Sequence, residues 1–340
     1  MAEYIKVLLF TTAVAFLLTP VAKWLAIRIG AVDIPKDNRR MHKKPIPTIG
    51  GIAIFAAILI SVGFFIGFKE REVQAIMLGS LVIVISGIYD DTKGLSPGMK
   101  IVFQLIAAII AIFGDINVAE ISNFIGEKGS TLELGFLSYP ITIIWIIGIT
   151  NAINLIDGLD GLAAGVSAIA ALSLAVTSFL FGNIVIGIVC LIISGACLGF
   201  LPYNFNPASI FMGDTGALLL GYLFSVVTIE GVMKTTAAVA VLVPVIVLAL
   251  PISDTLFAIV RRKLSGKSFA EADKGHFHHR IIDRGYTVRE TVMLLYALTL
   301  LTGVLAVIIS LIGGTYGTIL AIATIILIVV GARKFGMFKS

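Results

Sequence analysis

Apolar residues run along this chain in long, nearly unbroken stretches, with polar residues gathered between them. The runs fall near 5–27, 49–67, 74–89, 100–113, 138–155, 160–181, 184–200, 215–230, 236–258, 291–311 and 315–331. A helix needs roughly 20 predominantly apolar residues to cross a hydrocarbon core. The pattern therefore predicts an all-α, polytopic integral membrane helix bundle with about 10–11 transmembrane helices.

Composition agrees: 58% of residues are hydrophobic and 13% charged, and the mean hydropathy of +1.06 lies far above that of an ordinary globular domain. Little chain is left for a soluble domain, so residues 1–340 read as one membrane domain. The 34 glycines fit, because small residues let membrane helices approach closely. A net charge of +5 would suggest nucleic acid in a soluble chain, but here the cations sort by loop. With the N-terminus outside, 20 of the 25 Lys and Arg fall inside, leaving Lys6, Lys69, Arg71, Lys128 and Lys234 outside. That is the asymmetry of the positive-inside rule, and it predicts a cytoplasmic C-terminus and no nucleic-acid partner. The first run, with Glu3 before it and its basic residues after it, reads as an N-out anchor rather than a cleaved signal peptide. Cys190 and Cys197 lie seven residues apart on one expected helix, about 10 Å along its axis, too far for a disulfide.

The side chains capable of chemistry crowd into the inside loops, 28–48, 90–100, 151–163, 201–216 and 259–290. The first is basic and broken by prolines, with Asp33, Lys43 and Thr48 ahead of Gly50 and Gly51; alone it could be a solvated loop. In the second, Asp90 and Asp91 follow a span and precede Lys100 and Gln104, a sequence that could equally be a turn. The third places Asn151, Asn154, Asp157 and Asp160 at three-residue steps, neighbours on a helix, with Gly158 and Gly161 loosening its end. Four such residues exceed what helix capping explains. The fourth carries Asn204, Phe211 and Asp214. Asp214 could be a plain N-cap or a hard oxygen ligand for Mg²⁺, and Phe211 an interface aromatic or a surface for stacking on a base. The fifth holds three of the four histidines, His276, His278 and His279, beside Arg280. A basic, His-rich cluster suits neutralising a diphosphate and moving a proton near neutral pH. Together these loops offer the parts for phosphoryl transfer at a membrane surface, where positioning and electrostatics do most of the catalysis.

The ordered motifs D-x-P-x-x-x-R-x-x-H-x-x-P-x-P-x-x-G-G (33–51), D-D (90–91) with Lys100 and Gln104, N-x-x-N-x-x-D-G-x-D-G-L-A (151–163), F-M-G-D-x-G (211–216) and H-x-H-H-R (276–280) resemble the polyprenyl-phosphate N-acetylhexosamine-1-phosphate transferase family. Its likeness covers roughly residues 30–290. With P-I-S-D-T at 251–255 followed by Arg261 and Arg262, the chain looks like the branch that uses UDP-GlcNAc and undecaprenyl phosphate. The branch using UDP-MurNAc-pentapeptide more typically has three consecutive histidines, which Phe277 interrupts here. The resemblance implies a bacterial inner-membrane enzyme with a cytoplasmic cleft, requiring Mg²⁺ (or Mn²⁺), releasing UMP and forming a homodimer. By motif position it implies Asp214 and Asp90 as metal ligands, and Asp90, Asp91, Asp157, His278 and His279 as catalytic residues. It assigns Lys43, Thr48, Lys100, Asn151, Asn154, Asp160, Asn204, Phe211, His276 and Arg280 to substrate binding, with Phe211 stacked on uracil.

A transporter is the rival from another class, since Pro244 and Pro251 would suit broken helices. Transport sites usually sit near the bilayer midplane, whereas only Asp254 lies well inside an expected span. A nucleotide-driven pump lacks its P-loop: G-E-K-G-S-T at 126–131 has the wrong spacing. The outside stretch 114–137 reads as a small hairpin or interfacial helix without chemistry.

Overall fold

The computed structural model describes residues 2–34, 45–122, 131–234, 239–266 and 275–337. Among these the chain forms α1 (Ala2–Ile29), β1 (Val32–Asp33), β2 (Ile46–Pro47), α2 (Gly51–Phe65), α3 (Arg71–Lys93), α4 (Pro97–Phe113), β3 (Glu120–Ser122), β4 (Thr131–Glu133), α5 (Ser138–Ile156), α6 (Leu162–Leu180), α7 (Ile184–Asn204), α8 (Gly213–Thr228), α9 (Leu242–Val247), α10 (Ala249–Leu264), α11 (Phe277–Ile282), α12 (Val288–Ile312) and α13 (Gly314–Lys334). Eight of these segments are long and apolar enough to cross a membrane, and α2 and α4 are shorter apolar helices. The protein is a multi-pass membrane helix bundle. Its outer faces carry bare apolar side chains such as Leu17, Phe64, Ile144 and Leu327, as a lipid-facing surface requires.

The ninth expected span, 236–258, is not one helix. It breaks at Leu248 into α9 and α10, so Asp254 sits on a separate helix that ends in Arg261, Arg262 and Lys263. Pro244 and Pro251 near the ends of the break explain why the apolar run did not become a straight span.

Helix α8 is the axis. Every residue from Thr215 to Thr228 is buried, and α2, α3, α5, α6 and α7 pack around it. Two glycines make this approach possible. A Cβ on Gly51 would overlap the backbone of Gly216, and one on Gly87 would overlap the backbone of Thr215. Both α2 and α3 are thus held against the first turn of α8.

At one end of the bundle, β3 and β4 pair antiparallel as a short hairpin, one of the two forms expected of that stretch, with Ile121 opposite Leu132. At the other end β1 pairs with β2, Val32 opposite Pro47, and tethers the connection between α1 and α2. Cys190 and Cys197 are free and buried within α7.

Candidate active site

The carboxylates that the sequence scatters between positions 90 and 214 meet where α3, α5 and α8 end or begin. Asp90 and Asp91 occupy the last turn of α3 rather than the turn after it, because the helix continues to Lys93 and stops only where Gly94 takes a left-handed φ of 78°. Asp90 Oδ1 accepts the Leu95 amide at 2.7 Å, which fixes the connection to α4. Ser96 caps α4, with Pro97 at its first position, and delivers Lys100 to the site. The Lys100 ammonium lies 2.8 Å from Asp90 Oδ2 and also bonds Asp214 Oδ2.

Asp214 is not the N-cap of α8 but lies in its first turn. The cap comes from another helix: Asp91 accepts the Asp214 amide at 3.0 Å, the Thr215 amide at 3.1 Å and the Thr215 hydroxyl at 2.6 Å. A carboxylate at a helix N-terminus satisfies amides that have no partner within the helix and complements the dipole. Gly213 allows this, with a φ of 68° and no Cβ to collide with the Asp91 carboxylate. Asp214 is freed to face outward, where its Oδ1 accepts Asn154 Nδ2 at 3.1 Å. One turn earlier on α5, Asn151 donates to Gln104 Oε1 at 2.7 Å, tying α4 to α5.

Helix α5 ends at Ile156, close to where the glycines predict its loosening, and the loop 157–161 carries the other two carboxylates. Asp160 is engaged through one oxygen, its Oδ2 accepting Asn206 Nδ2 at 2.9 Å and the Ala208 amide at 3.0 Å. Asn204 clamps the same two loops, accepting from the Gly161 amide at 3.1 Å and donating to the Ile210 carbonyl at 3.0 Å. Asp157 differs: among the described residues its carboxyl group has no hydrogen-bond or ionic partner. It is recessed in the cleft, and burial, reinforced by the charges of Asp214, Asp91 and Asp160, pushes its pKa up to about 8.

Asp91, Asn154, Asp157, Asp160, Asn204 and Asp214 line a cleft of about 1600 Å³. Its other wall is built by 45–48 and 206–211, joined through the Phe211 amide to the Pro47 carbonyl at 2.8 Å and the Gly50 amide to the Phe211 carbonyl at 2.9 Å. Thr48 and Phe211 both line it, and the Thr48 hydroxyl donates to the Ala31 carbonyl at 3.1 Å.

The His motif forms a short helix, α11, rather than a loop, and its members separate. His279 lines the cleft. His278 is buried with its ring edge against Gly158, and burial, with help from neighbouring His279, drops its pKa to about 3, so it is neutral. His276 is buried and faces Asp254 instead of the cleft. Arg280 Nε donates to the Gly275 carbonyl at 3.0 Å. Lys43 lies outside the described residues.

Lys23, Asn206 and Asp283 also line the cleft without having stood out in the sequence. Lys23 left one trace, a cation six residues before the end of a mostly apolar helix.

Three carboxylates offer oxygens that all lie within 4.8 Å of one another: Asp90, Asp91 and Asp214. Hard oxygens in this density suit a divalent cation such as Mg²⁺. Asp91 already spends both oxygens on α8, so Asp90 and Asp214, now bridged by Lys100, are the more available pair. The carboxylates gather at one end of the bundle, whereas a transport site would place them near its middle.

The profile of "Glycosyl transferase family 4" matches residues 73–232. A "Probable undecaprenyl-phosphate N-acetylglucosaminyl 1-phosphate transferase" of Bacillus subtilis is 39% identical over 295 residues, 86% of this chain and 81% of its own length. A "Decaprenyl-phosphate N-acetylglucosaminephosphotransferase" of Mycobacterium tuberculosis is 32% identical, covering 83% of this chain and 76% of its own. A "Phospho-N-acetylmuramoyl-pentapeptide-transferase" of Staphylococcus aureus is 31% identical, covering 78% and 85%. The matched 73–232 contains Asp91, Asn154, Asp157, Asp160, Asn204, Phe211 and Asp214, which line the cleft, and Asp90, Lys100 and Asn151 beside them, and with the B. subtilis relative this match shows that the chain belongs to glycosyl transferase family 4.

Proposed function

We propose that this chain transfers N-acetylglucosamine 1-phosphate from UDP-GlcNAc to undecaprenyl phosphate at the cytoplasmic face of a bacterial inner membrane. UMP is the second product. The carrying observation is the convergence of Asp90, Asp91 and Asp214 with Lys100 near Asp157, whose carboxyl group has no partner among the described residues, at one end of a membrane helix bundle. The names of the B. subtilis and M. tuberculosis relatives support the sugar and the lipid class.

An oxygen of the lipid phosphate attacks the sugar-bearing phosphorus of the nucleotide sugar. The bond from that phosphorus to the oxygen bridging the two phosphates breaks, and UMP departs with that oxygen. A phosphate monoester is already ionised near neutral pH, so positioning and charge stabilisation carry the step. Asp214 and Asp90 would hold Mg²⁺, or Mn²⁺, which when bound neutralises and orients the transferring phosphates. Asp91 holds the first turn of α8, and thereby Asp214, in place. Phe211 offers a ring to uracil at the cleft wall, and Asp160 and Asn204 fix the loops on either side of it. His279, Arg280 and Lys43 serve to neutralise the diphosphate, and Asp157 receives the nucleotide sugar.

The test is transfer of labelled sugar into a lipid extract by detergent-purified protein, with UDP-GlcNAc and UDP-MurNAc-pentapeptide compared. Label from UDP-GlcNAc alone is the expected result. Label only from the pentapeptide substrate would move the chain to the other branch, in keeping with the S. aureus relative.

A further inference from the structure

Asp254 is 1% exposed, and a buried carboxylate is costly unless both oxygens are satisfied. Neither oxygen is spent on its own helix. Oδ2 lies 2.8 Å from Nδ1 of His276, and Oδ1 accepts the Phe277 amide at 2.9 Å. One carboxylate on α10 thus holds the ring that opens the His motif and caps the first turn of α11. Because a carboxylate only accepts, His276 donates through Nδ1, which fixes both its tautomer and its ring plane.

That ring plane is passed on. His276 stacks on His278 with ring centroids 5.7 Å apart and planes 3° from parallel. The His278 ring lies 4.2 Å from that of His279, which lines the cleft. On its other side His278 Nε2 rests on Gly158, where a Cβ would come within 2.5 Å, so the ring braces the loop next to Asp157. Buried rings in contact transmit displacement because a close-packed interior has no slack.

We propose that Asp254 is a positioning residue for the transfer reaction: acting through His276, it sets the stack His276–His278–His279 and the loop that carries Asp157. Its action on catalysis rests on the function proposed above. Its action on geometry does not, and the experiment separates the two.

Asp254→Asn, His276→Asn and the double variant are compared with the parent protein in detergent, with Asp254→Glu as the conservative rescue. Hydrogen–deuterium exchange is read on peptides covering 276–282 and 156–162. Asp254→Asn is expected to speed exchange in both segments while α6 and α7 stay protected, and Asp254→Glu to restore part of the protection. In turnover, Asp254→Asn is expected to lose roughly 10- to 100-fold in kcat, the scale on which removing a partner behind a metal-bound histidine acts, with KM for the nucleotide sugar changed less than about twofold. The double variant should lose no more than the worse single variant, because both break the same relay. Unchanged exchange at 156–162 would overturn the proposal, as would losses that multiply in the double variant. An inactive parent protein with the expected exchange pattern would overturn the proposed reaction and leave the positioning role standing.

Discussion

Asp157 has a pKa near 8 where an unfolded chain has an ordinary carboxyl group, so folding takes up a proton between those values. The stability this gives is fully present below about pH 4 and is lost as pH rises through about 8. Buried His278 has the opposite sign: its neutral form is favoured, and that contribution is lost as pH falls from about 6.5 toward about 3. Comparing parent protein with Asp157→Asn isolates the first effect. Measured without divalent cation, the thermal midpoint of the parent should fall relative to the variant between about pH 4 and about pH 8 and run level with it above that. Parallel curves would mean that Asp157 is not the recessed, proton-holding carboxyl group described. Residue types were legible in the sequence, since Asn151, Asn154, Asp157, Asp160 and Asp214 stand out as polar residues beside long apolar runs. Their division of labour was not. Asp91 as the cap of a helix 123 positions away, or Asn204 as a clamp on Gly161, depends on long-range packing that leaves no local pattern.

Among the elements, α3 and α8 depend most on each other, because the site needs the Asp91 carboxylate within reach of the α8 amides. Gly87 is the hinge of that contact. Valine there would meet the backbone of Thr215, which cannot turn aside as a side chain could. Gly87→Val should destabilise the protein by about 1–3 kcal/mol, seen as a lower thermal midpoint, and reduce turnover by displacing Asp91. Gly148→Ala, with open space around it on α5, is the control and should leave both unchanged or raise the midpoint slightly. Equal behaviour of the two variants would contradict the packing account. Hydropathy located the long helices well, because an apolar run and a membrane helix are nearly the same object. It failed at the break at Leu248, where α9 and α10 are both apolar at the junction, and at the ends of α3 and α8, which run past their apolar runs to carry Asp90, Asp91 and Asp214.

For the molecule as a whole, charge and chemistry share one end. The loops richest in Lys and Arg in the sequence are those whose described parts converge on the cleft, while the β3–β4 hairpin and the Arg71–Asp115 ion pair at 2.9 Å lie at the other end. An anionic diphosphate would then meet a divalent cation held by carboxylates and a rim of cations, with the lipid phosphate arriving from the adjacent bilayer. The most direct test is UMP release by the detergent-purified protein supplied with UDP-GlcNAc, undecaprenyl phosphate and Mg²⁺, run beside Asp214→Asn. The account predicts release that needs the lipid, stops with a chelator and is abolished in the variant. Release that ignores the lipid, or that persists in Asp214→Asn, would contradict it.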